Sequence, residues 1–142
     1  MQVEVSKLIG APREKVYAAY TDFESMPKWR PGLTDVKVVG RKENVVRIEF
    51  VSERNGKTAK SAASLSLWPP SGVVSEDMTR LAQVTWTVRF EEANGGTMAT
   101  AIQDVKVRGA WAAIFAPRGV EPAQRSAKAV LDSFAAYVEG LP

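Results

Sequence analysis

The chain has 142 residues, 45% hydrophobic and 25% charged, with a net charge of +3 at pH 7. That length suits one domain over residues 1–142, burying about two-thirds of its unfolded surface around a single core. Cysteine and histidine are both missing, which excludes disulfides, thiol nucleophiles, Cys or His metal sites and the usual general base near neutral pH.

The same composition sets expectations for partners and compartment. Lys and Arg are dispersed, with no basic stripe and no zinc or RNA-binding motif, so nucleic acid is not an expected partner. The opening MQVEVSKLIG lacks the layout of a secretory signal and no apolar run reaches membrane-span length, so a cytoplasmic setting is expected. No metal or cofactor is expected, and the residues leave the oligomeric state open.

Val3, Val5, Lys7 and Ile9 alternate with Gln2, Glu4, Ser6 and Leu8, the pattern of a strand with one mainly apolar face. Pro12 suits a first helical position, and Glu14 the first turn, where the helix dipole favours an acid. Val16, Ala19, Tyr20 and Phe23 then share a helical face, Pro27 interrupts, and Pro31-Gly32 ends a short helical pair. Strands follow in series: TDVKVVGRKE, NVVRIEFVSERNGK, TAKSAASLSLW, VVSEDMTR, AQVTWTVRFEEA and TMATAIQDVKV. Asn55-Gly56 is a type I′ hairpin signal, Pro69 to Gly72 stops a strand, and Asn94-Gly95-Gly96 makes another hairpin. RGAWAAIFAPRGVEPAQ reads as an apolar loop or broken helix. Pro122 to Glu139 is a long amphipathic helix with Ala127, Val130, Leu131, Phe134, Tyr137 and Val138 on its apolar face, ended by Gly140.

Strands in series with helices outside the run argue for an α+β architecture. About seven antiparallel strands would form a curved sheet, and the last helix is the element long enough to cover its concave face.

Three strings carry a resemblance over nearly the whole chain. APREKVYAAYTDFESMPKW is similar to an Ala-Pro-x-x-x-Val-aromatic helix followed by an Asp-aromatic-Glu turn and Pro-x-aromatic; VTWTVRF is similar to a Trp-bearing penultimate strand, and GGTMAT to a Gly-Thr hairpin exit. In this order they resemble the helix-grip superfamily of START-related lipid-transfer domains, plant pathogenesis-related proteins and bacterial polyketide cyclases. The resemblance implies a sheet wrapped around the C-terminal helix with a cavity between them, and Met26 and Trp29 plugging or rimming its end. The fold hosts carriers, cyclases, hydrolases and regulators, so function rests on the site.

Several residues are candidates for that cavity. Val84, Trp86, Val88 and Phe90 share one face; Trp86 offers an apolar plane and one N–H donor, either as plain core or, by resemblance to the cyclases, as pocket wall. On the last strand Ala99 and Ala101 would leave room for a ligand, and Gln103 would be a polar group in an apolar wall; the opposite reading turns Met98, Thr100, Ile102 and Asp104 inward. Between Lys60 and Trp68, periodicity sends Leu65 and Leu67 inward. The resemblance instead sends Ser64 and Ser66 inward, with Ser66 where the cyclases carry an arginine. Val130 and Phe134 of the last helix would face the cavity from the other side. Glu49, Glu76, Asp77 and Arg89 are the other titratable candidates, with the solvated sheet face as the plain alternative.

GAWAAIF reads in three ways: a gate with Trp111, Ile114 and Phe115 as its lip, a contact patch for a protein or membrane surface, or a segment folded into the core. Three functions remain open. The first is a carrier of a small hydrophobic molecule (lipid, isoprenoid, quinone or polyketide-like), with no catalytic residue. The second is a cyclase or dehydratase-like enzyme, and the third a non-enzymatic interaction module of the co-chaperone type.

Overall fold

The structure, a computed structural model, describes residues 2–78, 82–107, 109 and 121–142. β1 (Gln2–Ile9) leads into α1 (Arg13–Thr21) and a 3₁₀ segment (Phe23–Lys28). Six strands follow: β2 (Leu33–Lys42), β3 (Val45–Arg54), β4 (Lys57–Trp68), β5 (Gly72–Met78), β6 (Ala82–Ala93) and β7 (Gly96–Val107). α2 (Glu121–Glu139) comes last. The seven strands make one open, curved antiparallel sheet in the order β1-β7-β6-β5-β4-β3-β2. β2 to β7 are therefore a meander, and β1 returns to pair with β7.

Local chemistry accounts for the turns. Asn55 and Gly56 both adopt positive φ, 53° and 77°, as a type I′ hairpin between β3 and β4 requires. Gly96 opens β7 where a Cβ would collide with the carbonyl of Ile9, so β7 can approach the end of β1 there only without a side chain. Pro12, expected at the first helical position, instead sits just outside α1 in extended conformation. Its fixed φ serves the entry turn, and the helix then begins at Arg13. Pro27 lies inside the 3₁₀ segment, whose short run tolerates it.

The strand periodicities hold through the sheet. Trp86, Val88 and Phe90 of β6 and Thr97, Ala99 and Ala101 of β7 are buried on the concave face. α2 lies chiefly over β1 and also meets α1 and β7, burying Ala127, Leu131, Phe134, Ala135 and Val138. The Phe134 ring stands 4.7 Å from Trp29, 5.3 Å from Tyr20 and 6.4 Å from Phe90 of β6, joining α2, α1, the end of the 3₁₀ segment and the sheet in one aromatic cluster. Thr97, a buried polar side chain, donates from Oγ1 to the Ala11 carbonyl at 2.7 Å.

Polar contacts tie α2 down. The Gly10 amide donates to Glu139 Oε2 at 2.7 Å, Lys15 Nζ donates to the Leu141 carbonyl at 2.9 Å, and Lys7 pairs with Asp132 at 3.2 Å. Among the described residues no helix is long and apolar enough to cross a membrane.

Candidate functional site

Successive rows of side chains across the concave face are filled differently. In one row Ala101, Val88, Val73 and Leu67 stand side by side across four strands, and the first three are almost fully buried. The next row is Gln103, Trp86, Ser75, Leu65 and Val46, again in continuous register. At this row the packing opens into a cavity of about 400 Å³. Its walls include Ile48 and Phe50 of β3, Ala63 and Leu65 of β4, Ser75 and Asp77 of β5, Val84 and Trp86 of β6 and Gln103 of β7. Tyr20 of α1, Met26 of the 3₁₀ segment, and Arg30 to Gly32 in the turn before β2 close the opposite side.

Tyr20 and Trp86 meet at the boundary between the packed and open rows. Both are buried, and Trp86 Nε1 donates to the Tyr20 hydroxyl oxygen at 3.0 Å. Burial raises the Tyr20 pKa; the nearby Arg30 charge and the hydrogen bond from Trp86 pull the other way without reversing it. The phenol therefore stays protonated near neutral pH. Arg30 Cζ lies 5.4 Å from the centroid of the Trp86 ring, within cation–π range. A bulky plane, a neutral hydroxyl, a guanidinium and an amide thus border one space.

The structure brings together only part of the set named from sequence. Trp86 and Gln103 line the cavity. Ala101 and Val88 oppose each other in register, are fully buried and are not among the residues that line this cavity. Trp29 and Phe134 form the aromatic cluster behind the cavity, and Val130 is half-buried against the core. The inward turn of Ser66 implied by the resemblance is not what the backbone adopts. Leu65 is buried and lines the cavity, so Ser66, its neighbour on an alternating strand, faces the other way and pairs with Val74. Burying Leu65 removes more apolar surface from water than burying a serine would, and it leaves the hydroxyl hydrated. Trp111 and Phe115 lie outside the described residues.

The cavity's position also differs from the expected one. Among the described residues its walls come from the sheet, α1, the 3₁₀ segment and the following turn, whereas the described part of α2 belongs to the packed rows. Glu49 and Glu76 face outward, Arg89 is exposed and pairs with Glu4 at 3.6 Å, and Asp77 alone of the four titratable candidates lines the cavity.

Tyr20 and Arg30 are among the wall residues that the sequence did not single out. Periodicity counts Tyr20 with the apolar face of its helix, where a tyrosine's need for a polar partner is the available signal. That partner lies 66 residues away in sequence, beyond any local pattern. Arg30 sits in a turn, where no periodicity assigns a side.

The family described as "Polyketide cyclase / dehydrase and lipid transport" matches residues 1–139. The chain belongs to that family. No curated protein matches the sequence. Solved structures similar to this family member include the Zhui aromatase/cyclase from Streptomyces sp. R1128, with 15% identity, a TM-score of 0.81 and coverage of 98% of this chain and 93% of that one. TTHA0849 from Thermus thermophilus aligns at 16% identity and a TM-score of 0.80, covering 97% of each chain. A START superfamily protein from Mycobacterium smegmatis aligns at 16% identity and a TM-score of 0.70, covering 98% and 94%. At such identities the likeness establishes the helix-grip fold and leaves the chemistry to the residues of each cavity.

Proposed function

We propose that this protein binds a small hydrophobic molecule in the concave cavity and acts as a binder or carrier. The observation that carries the reading is the contrast between adjacent rows. Ala101, Val88 and Val73 are packed shut, while about 400 Å³ stays open beside Trp86, Leu65 and Phe50. A volume of this size falls within the range of roughly 300–1,000 Å³ typical of small-molecule sites. Burial of the ligand's apolar surface against Leu65, Phe50, Val84 and the Trp86 ring would supply most of the affinity. Family membership supports the same reading, since lipid transport is one of the family's two described activities.

A second reading is cyclase or dehydratase-like chemistry, favoured by Tyr20 and Asp77 on the wall of one cavity. A protonated phenol can donate to a carbonyl and a carboxylate can accept a proton, so the two could act as acid and base. Native mass spectrometry of freshly purified protein, followed by organic extraction, separates the readings. A retained species of a few hundred daltons supports the carrier. Protein that arrives empty and converts a poly-β-keto substrate, with the conversion lost in Tyr20→Phe, supports the enzyme and overturns the carrier.

A further inference from the structure

The polar groups along one side of the cavity have an unbalanced hydrogen-bond inventory. Tyr20 accepts from Trp86 Nε1, so its own hydroxyl proton must point elsewhere, and no described residue accepts it. The Gln103 amide stands beside Trp86 in register, is half-buried and makes no side-chain hydrogen bond to a described residue. Arg30 lies against the Trp86 ring with no ion-pair partner among the described residues. Around one indole there are therefore a hydroxyl proton, amide protons and a guanidinium, all donors without a side-chain acceptor among the described residues. The carboxylates of the same cavity are differently placed. Glu53 is exposed at the rim beside Arg54, and Asp77 lies one row beyond Trp86 and already has an interaction of its own.

Donors grouped around a partly enclosed space can take an acceptor from a bound molecule in place of water. The geometry points to a ligand that carries an anionic oxygen head group, a carboxylate or an ionised enol or phenol, seated against Arg30, Tyr20 and Gln103, with its apolar body over Leu65 and Phe50. Arg30 is then the residue that sets specificity. The Arg30 guanidinium lies within cation–π range of the Trp86 ring and has no ion-pair partner among the described residues, so its N–H groups are available for charge-assisted bonds. A neutral ligand of the same shape would keep the apolar contacts and lose these bonds. This inference deepens the carrier reading and rests on it.

Two probes with one skeleton test it: 8-anilinonaphthalene-1-sulfonate, and N-phenyl-1-naphthylamine, which lacks the sulfonate. Fluorescence titrations give Kd for the wild type, Arg30→Gln, Arg30→Lys and, as a surface-charge control, Arg47→Gln on the outer face of β3. Far-UV circular dichroism checks that each variant is folded. The wild type is expected to bind the sulfonate about tenfold more tightly than the neutral probe. Arg30→Gln should erase that preference by weakening the sulfonate alone, Arg30→Lys should keep only part of it because an ammonium lacks the planar fork of donors, and Arg47→Gln should leave it intact.

Equal wild-type affinities would overturn the head-group inference while leaving the carrier reading standing. So would Arg30→Gln weakening both probes alike, or Arg47→Gln matching its effect. Binding of neither probe would remove both. If Arg30→Gln fails to fold, the comparison of the two probes on the wild type and Arg30→Lys decides.

Discussion

Ala101 and Ala63 are both small residues on the concave face of the same sheet, in different surroundings. Ala101 faces Val88 and is fully buried in the rows beneath α2 and the aromatic cluster. Ala63 pairs with Ile48 and lines the open cavity. In the packed rows a small side chain lets neighbouring elements come close; in the open rows it leaves volume unfilled. An alanine in a strand therefore does not announce a pocket, and what stands across from it decides.

The largest expected effect lies in the packed rows. Phe134→Ala would remove the ring that meets Trp29, Tyr20 and Phe90 and should cost about 3–5 kcal/mol in urea unfolding. A much smaller loss would mean that the aromatic cluster is loosely packed and the contrast between the rows overstated. The sharpest comparison makes the same substitution on both sides of the boundary. Ala101→Phe should overpack its row and cost about 1–3 kcal/mol. Ala63→Phe should place its ring in the cavity, leave stability within about 1 kcal/mol and abolish binding of N-phenyl-1-naphthylamine. Equal stability losses would erase the distinction between packed and open rows.

Tyr20→Phe probes the boundary itself. It leaves the buried Trp86 N–H without its acceptor and should destabilise by about 1–3 kcal/mol. It also predicts a pH signature. The Tyr20 pKa is raised above the ordinary 10.0, so the unfolded chain releases this proton before the folded one does. The contribution is fully present below pH 10 and is lost as pH climbs from there through the folded-state value. Unfolding free energies between pH 8 and 11 should fall less steeply for Tyr20→Phe than for the wild type; parallel slopes would show that Tyr20 is not the buried phenol responsible. The smallest effect is expected at Lys7→Met. The Lys7–Asp132 pair is partly solvated and should contribute under about 1 kcal/mol, shrinking further in high salt.

How much is legible in the chain varies with the kind of signal. The strands of the meander are legible because alternation and the Asn55-Gly56 turn are local properties of the chain. Trp86 and Gln103 are legible as wall residues because strand alternation assigns a face once one neighbour is placed. For Leu65 and Ser66, alternation points inward for the leucine while the resemblance points inward for the serine; the structure follows alternation, because register is held by burying the apolar set. Arg30 is not legible, because a turn residue has no period.

What the sequence by itself determined was the order of elements, the family, and which face of most strands is apolar, since each follows from patterns a few residues long or from motifs in series. Tertiary structure alone decided where the volume remained. Whether Ala101 closes a gap or Ala63 opens one depends on residues brought together from distant parts of the chain. So does the meeting of Tyr20, Arg30 and Trp86 around one indole, because contacts that close long loops leave no periodic trace in the sequence.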